Sequence, residues 1–123
     1  MSRLLLVRHG ETKLNSGYRF WGKTDVELSD AGIAQAERLR DRLATQRIDA
    51  IYASNLRRAS VTAGVIASGH RLEPVSCADL NEIDFGDFEG LTFEEIKRLH
   101  PELAERWTSW SVDRFPGGIV SGR

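Results

Sequence analysis

Leu4-Leu5-Leu6-Val7-Arg8-His9-Gly10-Glu11-Thr12 is the stretch whose reading decides the fold class. Four consecutive apolar residues, entered from Ser2-Arg3 and left through an arginine, a histidine and a glycine, read as a buried strand feeding a turn. Continuous apolar runs of this length suit a parallel sheet covered on both faces, and ligands of such sheets bind where the strands end. His9 is therefore displayed on a loop. Gly10 lets the chain turn with no side chain in the way, and Arg8 offers a planar fork of donors suited to phosphate oxygens. A neutral imidazole nitrogen can attack phosphorus when its other nitrogen is held by an acceptor and the phosphoryl charge is neutralised. Taken alone, the tripeptide Arg8-His9-Gly10 reads more readily as a structural turn, so its meaning depends on its surroundings.

Working outward, Ser29 stands as an N-cap, and Ala36, Leu39 and Leu43 recur at helical spacing, which predicts a helix over 30–44. Residues 48–53 read as a second strand. Ser54 and Asn55 follow as caps for a helix running through Ala59, Thr62, Val65 and Ile66, with Gly69 as its stop. A short third strand over 72–76 contains Pro74, which suggests an edge position. The order β-α-β-α-β predicts an α/β fold with right-handed crossovers and functional loops at the carboxyl ends of the strands. After the second strand, Arg57 and Arg58 fall on the first turn of a helix, where backbone N–H groups and the helix dipole add anion affinity. Arg57 reads as an ordinary solvated charge pair, and Arg58 as a second phosphate ligand beside the His9 loop.

Beyond Asp79 the pattern changes. Leu80-Asn81-Glu82-Ile83-Asp84-Phe85-Gly86-Asp87-Phe88-Glu89-Gly90 interleaves carboxylates with aromatics and glycines, as a folded loop does. Phosphoryl transfer needs a proton donor for the leaving oxygen, and a carboxyl group serves if partial burial raises its pKa. Glu82 is the candidate, although the residues alone do not choose among Glu82, Asp84, Asp87 and Glu89. Thr92-Phe93-Glu94-Glu95 matches a capping box opening a short helix. Pro101 can begin another helix, with Leu103, Trp107 and Trp110 as its apolar stripe, and from Phe115 onward the residues have turn chemistry.

The 123 residues suit one domain or part of one, since domains cluster at about 100 to 150 residues. A net charge of -1 with both signs interspersed gives no field that would gather nucleic acid or a membrane. The single cysteine, Cys77, excludes an internal disulfide framework and offers no metal spacing. Residues 4–7 are too short for a signal core or a membrane span, so a cytoplasmic protein is expected.

Together these segments resemble the histidine phosphatase superfamily, also called the phosphoglycerate mutase-like family. Arg8-His9-Gly10-Glu11-Thr12 with Asn15 is similar to its signature. Gly22, Leu28-Ser29 and Gly32-Ile33-Ala34-Gln35-Ala36 resemble its second segment, Tyr52-Ala53-Ser54 through Arg58-Ala59 with Thr62-Ala63 its third, and Leu80-Asn81-Glu82 through Gly90 its fourth. Four segments in the right order are far more specific than any one of them. The resemblance implies a three-layer α/β/α phosphoglycerate mutase-like fold, of which 1–123 is the N-terminal part of a single histidine phosphatase domain, incomplete at the C-terminus.

It further implies a phosphohistidine intermediate on His9, with Arg8 and Arg58 clamping the phosphoryl oxygens and Glu82 as proton donor and then base. Asn15 and the backbone at Gly22 are implied as secondary phosphate contacts, a weaker carry-over, and no metal or organic cofactor is implied. Mutases of the family usually carry an arginine directly after the acid and a tyrosine two further on. Here those places hold Ile83 and Phe85, and Phe85-Gly86-Asp87-Phe88-Glu89-Gly90 is closer to broad phosphatases and α-ribazole phosphatases, so a small phosphorylated metabolite is the expected substrate. The family also carries a second histidine in a later Ser-His-Gly segment, on a strand between the first two. The sequence stops before it, and neither His70, read as a surface loop residue, nor His100, at a helix start, resembles it. The expected consequences are direct pairing of the first two strands, a strand supplied by another copy in a homo-oligomer, or a fragment of low stability, with weak activity or phosphate binding alone.

Overall fold

A computed structural model of the protein describes residues 2–14 and 19–108. The chain divides into two compact units, one comprising residues 1–13 and 25–80 and the other residues 14–24 and 81–123.

The first unit is built on helix α1 (Asp30–Leu43), strand β1 (Tyr52–Ala53), helix α2 (Arg57–Ser68) and strand β2 (Val75–Ser76). Helix α1 begins as its sequence predicts. Ser29 Oγ accepts the Gly32 N–H at 3.1 Å, Asp30 lies in the first turn, and Arg40 and Arg42 lie in the last, all of which complement the helix dipole. Ala36 and Leu43 turn inward. Strands β1 and β2 pair in parallel, with Tyr52 opposite Val75 and Ala53 opposite Ser76. The ladder is completed by Val75 N donating to the Ile51 carbonyl and Cys77 N to the Ala53 carbonyl, each at 2.8 Å. Helix α2 buries Thr62, Ala63, Ile66 and Ala67 and ends at Gly69.

Three expectations for this unit need correction. Residues 4–7 form no strand with any described residue, and Leu4 and Leu6 are 79% and 88% exposed. A β ladder needs a neighbouring row of backbone donors and acceptors, and among the described residues the paired strands are two residues long. For the same reason the strands expected over 48–53 and 72–76 shrink to Tyr52–Ala53 and Val75–Ser76. The cap position of α2 falls on Leu56, not on Ser54 or Asn55, and Leu56 makes no side-chain cap bond. The Arg57 N–H is accepted instead by Asp25 Oδ1 at 2.7 Å.

The second unit contains a 3₁₀ turn (Gly86–Phe88), helix α3 (Phe93–Leu99) and helix α4 (Pro101–Thr108). Phe85, Phe88, Ile96 and Ala104 form its core, with Phe20, Ile83, Leu91, Phe93 and Leu103 packed against it. The aromatics that read as a folded loop are thus the centre of a small cluster, in which the Phe20 and Phe85 rings lie 5.7 Å apart at a tilt. The capping box is present: Glu95 N donates to Thr92 Oγ1 at 3.2 Å and Thr92 N to Glu95 Oε2 at 3.4 Å. His100 sits between α3 and α4 with its ring 5.2 Å from that of Phe88. Trp107 falls within α4, whereas Trp110 and the turns expected from Phe115 onward lie outside the described residues. Among the described residues no helix is long and apolar enough to cross a membrane.

Candidate active site

His9 lies in the first unit, half-buried, with Nδ1 2.8 Å from the Gly10 carbonyl oxygen. A carbonyl can only accept, so Nδ1 is the donor, and in the neutral ring the lone pair then lies on Nε2. The loop that bears His9 is fastened to the start of α1. Glu11 N donates to Gln35 Oε1 at 2.9 Å, while Ser29 N and Ser29 Oγ donate to the Glu11 carbonyl at 3.0 and 3.3 Å. An antiparallel bridge joins Thr12 to Leu28, and Lys13 N donates to the Glu27 carbonyl at 2.9 Å. Two glycines permit this approach. A Cβ on Gly10 would lie 2.2 Å from Gln35 Oε1, and one on Gly32 would lie 2.0 Å from the Glu11 carbonyl oxygen.

Arg58 stands on the first turn of α2 and is 3% exposed, whereas Arg8, at the end of the extended segment, is exposed. The two arginines therefore differ in their solvation. Arg57 faces outward and pairs with Asp25 and Glu27, as its reading as a solvated charge pair anticipates. Glu27 also takes Lys13 Nζ at 2.6 Å. Hydrogen bonds from Lys13 and Arg57 hold the Glu27 carboxyl below the usual glutamate value, and the same Glu27 raises the Lys13 ammonium.

The second unit carries Gly22 and Glu82. Gly22 is buried, and a Cβ there would meet the Ile83 carbonyl oxygen at 1.9 Å. Its loop is held by Glu89, whose carboxylate accepts from Gly22 N at 3.1 and 3.0 Å, Lys23 N at 2.9 Å, Thr24 Oγ1 at 2.9 Å and Phe85 N at 3.3 Å. Asp84 is buried, accepts from Gly86 N at 2.8 Å, and lies 3.2 Å from Lys23 Nζ. The burial expected of the acid therefore falls on Asp84. Glu82 is exposed, and its Oε1 accepts the N–H of the next residue, Ile83, at 3.0 Å.

Of the residues singled out in the sequence, Arg8, His9 and Arg58 belong to one unit and Gly22 and Glu82 to the other, while Asn15 lies outside the described residues. His70 is half-buried, not a surface residue, and its Nε2 is buried with no hydrogen-bond partner among the described residues. No cluster of three or more His, Cys, Asp or Glu that could hold a metal occurs among the described residues. Sequence reasoning missed the fastening roles of Gln35, Asp25 and Glu89. Gln35 lies one helical turn beyond Gly32, and that spacing was the available signal.

The protein is 40% identical over 120 residues to phosphoglycerate mutase-like protein 4 of Arabidopsis thaliana, covering 95% of this chain and 52% of that one. It is 38% identical over 107 residues to phosphoserine phosphatase 1 of Hydrogenobacter thermophilus, covering 87% and 51%. It thus spans about half the length of these curated relatives. The solved structure of a candidate α-ribazole-5'-P phosphatase from Escherichia coli superimposes with a TM-score of 0.81 at 30% identity, over 93% of this chain and 57% of that one. The α/β architecture is accordingly that of the histidine phosphatases. The model of the Histidine phosphatase superfamily (branch 1) matches residues 4–122, and the chain belongs to that superfamily.

Proposed function

We propose that the protein is a phosphomonoester hydrolase that works through a phosphohistidine on His9, with a small phosphorylated metabolite as substrate and the cytoplasm as its location. His9 Nε2 attacks phosphorus, an N–P bond forms, and the P–O bond to the leaving group breaks. Glu82, protonated, gives its proton to the departing oxygen. Water then attacks phosphorus while the Glu82 carboxylate takes its proton, the N–P bond breaks, and inorganic phosphate leaves. Arg8 and Arg58 hold the phosphoryl oxygens and neutralise the charge that gathers on them, with Asn15 and the Gly22 backbone as secondary contacts. Phosphoryl transfer depends mainly on such positioning and charge stabilisation.

The observation that carries this reading is the 2.8 Å contact from His9 Nδ1 to the Gly10 carbonyl, which in the neutral ring puts the lone pair on Nε2. Glu82 is favoured over Glu89 and Asp84 because Glu89 is already committed to four partners and Asp84 to Gly86 and Lys23. Hydrolysis is favoured over mutase transfer because Ile83 and Phe85 pack into the core of the second unit, where they offer no polar group to a substrate carboxylate. The substrates in the relatives' names, phosphoserine and α-ribazole-5'-P, mark the chemical range to screen.

The test is hydrolysis of an aryl phosphate by this chain beside His9→Ala, with a search for an acid-labile phosphoryl adduct. Turnover and adduct that both vanish in His9→Ala support the proposal. Folded protein that binds phosphate tightly without turnover or adduct would mean a binding module instead.

A further inference from the structure

Resting on the reading of His9 as nucleophile, we propose that Gln35 is a positioning residue for it, acting through the Gly10–Glu11 peptide bond. Two hydrogen bonds meet on this one peptide. Its carbonyl accepts from His9 Nδ1 at 2.8 Å, and its N–H donates to Gln35 Oε1 at 2.9 Å. The C=O and N–H of a trans peptide lie in one rigid plane and point in opposite directions, so fixing the N–H fixes the carbonyl. Gln35 therefore sets the direction of the acceptor that holds the imidazole, although it lies on the far side of the peptide from the ring.

The plane needs such a restraint. Its orientation depends on the backbone torsions of Gly10 and Glu11, and glycine restrains its own torsion least of all residues. Gly10 cannot be exchanged for a stiffer residue while Gln35 stays where it is, because a Cβ there would come within 2.2 Å of Gln35 Oε1. The glycine that makes room for the amide also makes the peptide soft, and the amide restores the rigidity. Hydrogen bonds in series also polarise one another, so an acceptor on the N–H makes the carbonyl a better partner for Nδ1–H. Gln35 thus favours the tautomer with its proton on Nδ1 and the lone pair on Nε2. It also stabilises the positive charge the ring gains when Nε2 bonds to phosphorus. Helix α1 holds Gln35 at a fixed position relative to Ser29, whose backbone N–H and hydroxyl secure the next carbonyl, that of Glu11.

The experiment is nitrogen NMR of the full chain labelled at its three histidines, at a pH where the rings are neutral, with the His9 signals identified by their loss in His9→Ala. In the wild type, His9 is expected with its proton on Nδ1. In Gln35→Ala, which keeps the helix, the Nδ1–H population falls measurably below that of the wild type. Gln35→Met keeps the side-chain length without an acceptor and behaves like the alanine variant, whereas Gln35→Glu retains an acceptor and keeps the Nδ1–H form. A wild type protonated on Nε2, an alanine or methionine variant that keeps the Nδ1–H form, or a glutamate variant that loses it would each overturn the proposal. Tautomers are read without turnover. The expected tautomer shifts in a protein that forms no phosphohistidine would support the positioning role while removing the hydrolase reading.

Discussion

Gly32→Ala and Gly64→Ala are the same chemical change on two helices, and the structure gives them opposite signs. Placing a methyl group on Gly32 brings Cβ to 2.0 Å from the Glu11 carbonyl oxygen, a backbone atom that cannot swing aside. Relieving the overlap means moving the His9 loop away from α1 by about 1 Å or more, an overpacking strain of about 1–3 kcal/mol. That displacement also stretches the bonds from Ser29 N and Ser29 Oγ to the same carbonyl, each worth roughly 0.5–1.5 kcal/mol. Against this stands the helix preference of alanine over glycine, at most about 1 kcal/mol and less in a first turn. The loss wins, and Gly32→Ala is destabilised by about 1–3 kcal/mol. At Gly64, in the body of α2, a Cβ meets nothing within 4 Å, so only the preference acts and the variant gains about 0.5–1 kcal/mol. Urea unfolding of both variants should therefore move the midpoints in opposite directions at an unchanged slope. Thermal midpoints should follow by roughly 4 °C for each kcal/mol. A Gly32→Ala protein as stable as Gly64→Ala would refute the close approach of Glu11 to α1.

Glu89→Ala removes the acceptor shared by Gly22 N, Lys23 N, Phe85 N and Thr24 Oγ1, and a loss of about 1–3 kcal/mol is expected. Hydrogen exchange should accelerate at those amides, with Glu89→Gln intermediate because one oxygen still accepts. Because the folded-state pKa of Glu27 lies below its unfolded value, its pairing stabilises the fold fully above the unfolded pKa and is lost as pH falls through the folded one. The raised Lys13 acts in the other direction, stabilising below its unfolded pKa and ceasing to do so as pH rises through the folded one. Thermal unfolding of Glu27→Gln against wild type should show a difference near neutral pH that vanishes in acid and shrinks in high salt, since the groups are exposed.

Local chemistry was legible in the sequence wherever its partners lie close in the chain. Ser29 and Thr92 announce their helices because each caps an N–H three residues on, and Pro101 opens a helix without needing a backbone donor. The apolar run at 4–7 was read as a strand from its own residues, but a strand exists only with a partner, and none is among the described residues. Glu82 could not be separated from Asp84, Asp87 and Glu89 because their roles depend on what each carboxylate touches. Glu89 proved to be bound to Gly22 and Lys23, more than sixty positions earlier in the chain. The cap of α2 was missed for the same reason, since Asp25 lies 32 residues before Arg57.

That distant cap makes the arginine-bearing turn of α2 a cooperative feature. A helix capped by its own neighbour can close its first turn with local torsions alone, as α1 does with Ser29. The bond from the Arg57 N–H to Asp25 forms only when the intervening segment has folded back, so loop-closure entropy opposes it. The placement of Arg58 is therefore linked to that fold-back, and loosening the segment at Asp25 would be felt at Arg58 without any change in Arg58 itself.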